Sequence, residues 1–358
     1  MLKRSALILG IGVLAGCASS PDKEFVAPVF PLPPEQPRFI YERTLISSAD
    51  VEVLTSEEKF KMFATGLAKD ARGLSKPFGV AVHRGRVYVT DTIQNAVVLF
   101  DIPGKKFKTF GTGGVGILGK PLGIDVADNG EVYVCDSLGK RVVVYDADGN
   151  YLRALGGKEY LERPSGVAVN REGTRLYVVD TGGVSTDKHR VQVFDALTGE
   201  FIKTIGKRGS EPGNFNLPLL ASTDNEGNLY VMDSGNFRVQ RFNANGEFQQ
   251  IFGKVGRNLG DFSRPKGIDI DRDGNIYVVD TSFGNFQIFD RDGRLLLFIG
   301  DRTDKNEPAK YILPADIEVD EDGRIYVVEQ FFRRIDVFRP YQLGADKGYA
   351  AIPEVKKD

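Results

Sequence analysis

Six carboxylates end six near-copies of one short run: GRVYVTD at Asp91, GEVYVCD at Asp136, TRLYVVD at Asp180, GNLYVMD at Asp233, GNIYVVD at Asp280 and GRIYVVE at Glu329. A carboxylate can serve as a general acid or base, bind a hard cation, or hold a turn by accepting backbone N–H groups. The first two roles need a few groups converging on one point. An acid repeated in every unit is instead dispersed by the repeat's symmetry, so this column reads as structural. Arg141, Arg238 and Arg334 each follow their acid by five positions, and Arg190 follows Asp180 after a longer loop, which adds an expected ion pair to the expected turn capping.

A second column is irregular and therefore closer to chemistry. Two residues after the glycine of each unit's first apolar run, or its equivalent, stand Ala81, Asp125, Ala168, Ser222, Asp269 and Glu318. Asp125, Asp269 and Glu318, with Asp316 nearby, form a candidate Ca²⁺ site, since that cation takes several oxygen ligands. The favoured expectation is plainer: these acids face channel water or pair with arginine. His83 and His189 fall in loops of opposite sense and cannot readily share one zinc. Ser185, Asp187 and His189 lie close in sequence on a flexible loop, which is not evidence of a triad. No CxxC, haem or Walker pattern occurs. With 47 Lys+Arg against 49 Asp+Glu, the balance excludes a nucleic-acid binder that works by phosphate neutralisation.

These residues are positioned by a repeat. Each unit opens with proline and a short strand (KPFGVAV, KPLGIDV, RPSGVAV, RPKGIDI), turns through Gly and Asp as in DRDG, and continues into the YVVD strand. A third strand ends in an aromatic (VVLFD, VQVFD) and a fourth in glycine (FKTFG, LLLFIG). Successive acids lie 44 to 53 residues apart, which suits one four-stranded propeller blade. The linkers GKRGSEPGNFNLP and GKVGRNLGDFSRP share Gly206, Gly209, Gly213, Phe215 and Pro218 with Gly253, Gly256, Gly260, Phe262 and Pro265. Over about residues 77–338 the chain resembles the NHL repeat family. That resemblance implies an all-β, six-bladed β-propeller with repeats over 76–340. Its relatives include zinc amidating lyases with several histidines, and this chain has two.

The sixth unit supplies three strands, and the tail, 341–358, offers no fourth. The strand-like run at 38–46 is expected to complete that blade beside Ile335–Phe338, closing the propeller over 38–340. Residues 55–68 read as one amphipathic helix capped by Thr55 or Ser56.

The chain's start reads as an export signal over 1–16, with Lys3 and Arg4 before an apolar stretch too short to span a bilayer. LAGC, ending at Cys17, resembles the lipobox of bacterial lipoproteins. The resemblance implies a lipidated Cys17 and a cell-envelope location at a membrane, with the outer membrane favoured by Ala18. Residues 17–37 carry six prolines and read as an extended tether. Cys135 occupies an apolar column and is expected to be buried.

On this reading the chain is a lipid-anchored envelope propeller that binds a protein, peptide or anionic ligand and performs no chemistry. The alternative is a carboxylate-metal hydrolase or lyase working in the central channel. Tight acidic turns occupy one face. The other face collects the longer loops between second and third strands and the linkers between blades, where Arg141, Lys188, Arg190, Arg238, Arg333 and Arg334 are the expected partner-binding residues.

Overall fold

The computed structural model describes residues 25–65 and 71–351. The signal segment, Cys17 and the tether as far as residue 24 lie outside the described residues, as do 66–70 and 352–358. The strands form six antiparallel sheets, each one blade of a β-propeller. Blade one spans 77–110, blade two 121–156, blade three 164–205, blade four 221–252 and blade five 265–299. A small parallel pair, Asp301–Arg302 with Lys310–Tyr311, decorates the linker before blade six.

Blade six closes the ring with both ends of the chain. Its first three strands are Pro314–Val319, Ile325–Glu329 and Arg334–Pro340. Its fourth is Phe39–Leu45, paired antiparallel with Arg334–Pro340 so that Tyr41 faces Phe338 and Leu45 faces Ile335. The closure expected from the sequence is therefore present. A fifth strand, Val29–Phe30, adds to the outside of this blade and was not legible in the proline-rich segment.

The period-two pattern of each strand sends alternate side chains into opposite neighbours. Six apolar clusters result, one wedged between each pair of adjacent blades. Cys135 belongs to the cluster between blades two and three, fully buried, and burial raises its thiol pKa well above the ordinary value. Near the axis the first strands approach so closely that side chains are excluded. A Cβ on Gly79 would lie 2.7 Å from the Leu122 carbonyl oxygen, and one on Gly267 would lie 2.6 Å from the Asp316 Cα.

The helix is Ser56–Thr65 within the described residues, and a capping box starts it. The Thr55 hydroxyl accepts from the Glu58 N–H at 3.1 Å while the Glu58 carboxylate accepts from the Thr55 N–H at 2.9 Å. Two of its apolar side chains, Phe60 and Phe63, are exposed. No helix among the described residues is long and apolar enough to cross a membrane.

The closing strand brings a buried charge with it. Arg324 is fully buried, and its guanidinium donates to Glu42 at 2.9 Å and to the Lys347 carbonyl at 2.8 Å. Removing Glu42 would take from this buried guanidinium its nearer acid and leave it only Asp322, at 3.3 Å. Glu42→Ala is therefore expected to cost about 3 kcal/mol in urea unfolding. A loss below about 1 kcal/mol, the range of an exposed pair, would show that the closing strand is not locked by this contact.

Candidate functional site

The acids that end the second strands are turn-holders, and they do more than the sequence suggested. Asp280 accepts N–H bonds from Ser282 and Phe283 in the loop that follows it, at 2.8 and 3.1 Å. It also accepts from Ser263 and Arg264, which end the linker entering its blade, at 2.7 and 2.9 Å. Asp91 repeats this with Ser75, Lys76, Ile93 and Gln94, and Glu329 with Ile312, Leu313 and Phe331. One carboxylate thus ties together the two loops that make up the linker face.

The expected arginine partners divide. Arg238 meets Asp233 at 2.8 Å, Arg190 meets Asp180 at 3.2 Å and Arg141 meets Asp136 at 3.5 Å. Arg334 does not pair with Glu329. It is buried against Asp336 at 3.2 Å and donates to the Lys310 carbonyl at 2.9 Å. These guanidinium groups also hold linker carbonyls: Arg141 that of Ile117, Arg190 that of Tyr160 and Arg238 that of Asn214. Four of the six residues expected to meet a partner are therefore engaged within the fold. Lys188, exposed, pairs with Glu162 at 3.2 Å, and Arg333 is exposed.

The cations left open on this face are others. Lys76, Lys120, Arg163 and Arg264 each precede the proline that opens a blade, and all four are exposed. Among the described residues none of their side chains makes an ion pair. Lys266, one residue past Pro265, is partly buried beside them; burial, then Arg264 and Lys76, lower its pKa to about 8 against the opposing pull of Glu329. The signal was in the sequence as the basic residues of KPFG, KPLG, RPSG and RPKG. Exposed Ile93, Leu138, Val184 and Phe331 stand in the loops between second and third strands of the same face.

At the axis, Phe78 of blade one packs with Leu219 against the core of blades four and five. Blade six separates blade one from blade five, so this contact must cross the channel near its linker end. A cavity of about 100 Å³ opens instead toward the acidic turns, lined by His83, Asp125, Arg171, Ser222, Asp269 and Glu318 among others. The turns there are self-satisfied: Asp271 accepts from Asn275 N–H at 2.8 Å and from the Tyr277 hydroxyl at 2.9 Å. His83 pairs with Glu321 at 3.0 Å. His189, buried near the linker face, meets the Gly183 carbonyl at 3.0 Å and accepts the Leu217 N–H at 3.1 Å. It is held in place and joins no triad.

The channel acids bond to the neighbouring blade, which neither sequence reading foresaw. Asp125 accepts the Val169 N–H at 2.7 Å, Asp269 that of Val319 at 2.8 Å and Asp316 that of Val80 at 3.1 Å. Ser222 donates to Asp269 at 2.7 Å. None of these acids pairs with an arginine among the described residues. No group of three or more His, Cys, Asp or Glu side chains there is disposed to hold a metal ion, so Asp125, Asp269 and Glu318 do not form a ready coordination shell. Burial pushes the Asp125 pKa up to about 7 and that of Asp269 up to about 6; Asp316 and Glu318 are raised well above their ordinary values by burial and mutual repulsion.

No family model matches the chain. A segment of 42 residues is 45% identical to the human E3 ubiquitin-protein ligase TRIM32, covering 12% of this chain and spanning about 6% of that protein's length. Among solved structures, a protein of unknown function from Bacteroides thetaiotaomicron superposes with a TM-score of 0.58 at 23% identity, over 75% of this chain and 70% of the other. Virginiamycin B lyase from Staphylococcus aureus, in a catalytically inactive variant with quinupristin, gives a TM-score of 0.54 at 14% identity, over 74% and 94%. These structural likenesses show the propeller fold alone.

Raised carboxyl groups retain protons in the folded chain that the unfolded chain has released. Their contribution to stability is complete below the unfolded carboxylate range and is lost as pH rises through about 6 to 7. Glu318→Gln removes one of the repelling charges. Its melting temperature is expected to fall less between about pH 5 and about pH 8 than that of the parent chain. A fall as steep as the parent's, or steeper, would show that repulsion from Glu318 carries none of this pH dependence.

Proposed function

We propose that the chain is an NHL-type propeller of the bacterial envelope, held to a membrane by lipid on Cys17, whose linker face binds an acidic protein or peptide without chemistry. The observation that carries this reading is the set of cations Lys76, Lys120, Arg163 and Arg264, without ion pairs among the described residues, with Lys266 beside Arg264 and Lys76 and with exposed Ile93, Leu138, Val184 and Phe331 on the same face. A partly buried lysine crowded by other cations is disfavoured until an anion arrives. Apolar side chains around a cationic centre supply the area that interfaces bury. The carboxylates beneath hold these loops in place, so binding needs little ordering of the receptor.

The second reading, a hydrolase or lyase in the channel, has one observation in its favour: the cavity over Asp125, Asp269 and Glu318 holds protonatable groups near neutral pH. The hydrogen bonds that Asp125 and Asp269 already accept from backbone N–H groups of neighbouring blades weigh against it.

A photo-crosslinking residue at Leu138, on the linker face, is expected to capture an envelope partner in native membranes, and the same residue at Leu197, on the turn face, is not. Changing Arg163, Arg264 and Lys266 together to alanine should lower the Leu138 adduct at least about tenfold and reduce its sensitivity to salt. Adducts from Leu197 alone, or an undiminished Leu138 adduct in the triple variant, would contradict the proposal.

A further inference from the structure

The outermost strand of blade five breaks the pattern of the other blades. It reads LLLFI, Leu295–Ile299, where blade one has KFKTF and blade three FIKTI. Leu297 takes the place of Lys108 and Lys203, and Phe298 that of Thr109 and Thr204. Leu296 is 39% exposed, as its equivalents Leu152 and Ile202 are at 43%, but here it has beside it Phe298, 42% exposed, where blades one and three carry threonine. Leu296 and Phe298 face a groove. The N-terminal arm runs along its other side, fixed by the Val29–Phe30 strand and by Phe30, whose ring sits edge-on to Phe338 at 5.7 Å.

This groove encloses about 600 Å³, far more than the channel cavity and within the ~300–1,000 Å³ range of small-molecule sites. Phe30, Pro31, Leu32, Leu259, Leu296 and Phe298 give it an apolar wall, and its charged groups are Glu35, Arg38, Asp301 and Lys310. Asp301 and Lys310 pair with each other at 2.7 Å. Arg38 donates one N–H to the Leu296 carbonyl at 2.5 Å and has no ion pair among the described residues. Glu35 has no ion pair among the described residues either, but of the two Arg38 is the one hydrogen-bonded to the groove wall, and an apolar wall with that guanidinium at its edge suits a flexible apolar chain that ends in an anion.

We propose that the groove between the N-terminal arm and the outer strand of blade five binds a long-chain fatty acid, with its carboxylate at Arg38. This site borders the linkers before blades five and six but is lined by none of Lys76, Lys120, Arg163, Arg264 or Lys266, and it does not depend on what binds them. The test uses the full chain carrying Cys17→Ser, so that no attached lipid competes, with cis-parinaric acid and its methyl ester as fluorescent probes. Saturable one-to-one binding of the acid is expected. Leu296→Asp should weaken it at least about tenfold, whereas Leu152→Asp, on the outer strand of blade two, should leave it unchanged. Arg38→Ala should weaken the acid about threefold to tenfold and not the ester, and Glu35→Gln should not weaken either. If Leu296→Asp lowers the melting temperature, Leu259→Asp, from the linker lining the groove, provides the same reading. Non-saturable binding, equal loss with Leu152→Asp, or an Arg38→Ala variant that treats acid and ester alike would overturn the proposal.

Discussion

The structure depends on a carboxylate that accepts N–H groups from two loops at once. In each blade the acid at the end of the second strand receives amides from the linker arriving before it or from the loop leaving after it, and in blades one, two, five and six from both. Loops of this kind carry orphaned donors that must find acceptors. Supplying the acceptor from the strand makes the loops part of the sheet's framework. It also sets the position of the residue before each blade's proline, which is where Lys76, Lys120, Arg163 and Arg264 stand.

A second set of carboxylates does related work around the axis. First strands of adjacent blades make no sheet with one another. Asp125, Asp269 and Asp316 reach across and accept the neighbour's N–H instead. This explains why acids tolerate burial near the axis: each hydrogen bond offsets part of the desolvation, and protonation removes much of the remainder. Lacing at the axis and closure by Glu42 and Arg324 at the seam both join parts of the chain far apart in sequence. The result is a stiff ring on which loops can carry binding residues.

The fold was legible in the sequence because repetition made it so. Strand boundaries, blade number and the closing role of 38–46 followed from the copies themselves. What failed were readings of a side chain's partner. Arg334 has the same spacing from its acid as Arg141 and Arg238, yet Asp336, two positions along its own strand, and the linker carbonyls of Glu307 and Lys310 hold it instead. The channel acids showed their column and not their acceptor role, because the amides they meet belong to strands about 44 to 50 residues away or more. The strand at Val29–Phe30 was hidden by the prolines around it, and the groove it helps form joins residues more than 250 positions apart in the chain. Distances in sequence of that size leave no local pattern to read.

The measurement that bears most directly on the account is amide hydrogen exchange of the native chain, read at Ser75, Lys76, Ser263, Arg264, Ile312 and Leu313. These amides lie in linkers and donate to second-strand carboxylates. If the carboxylate column holds the linker face as described, they exchange as slowly as the amides of the adjoining strands. Exchange at the rate of free loops would contradict the claim that this face is a fixed platform.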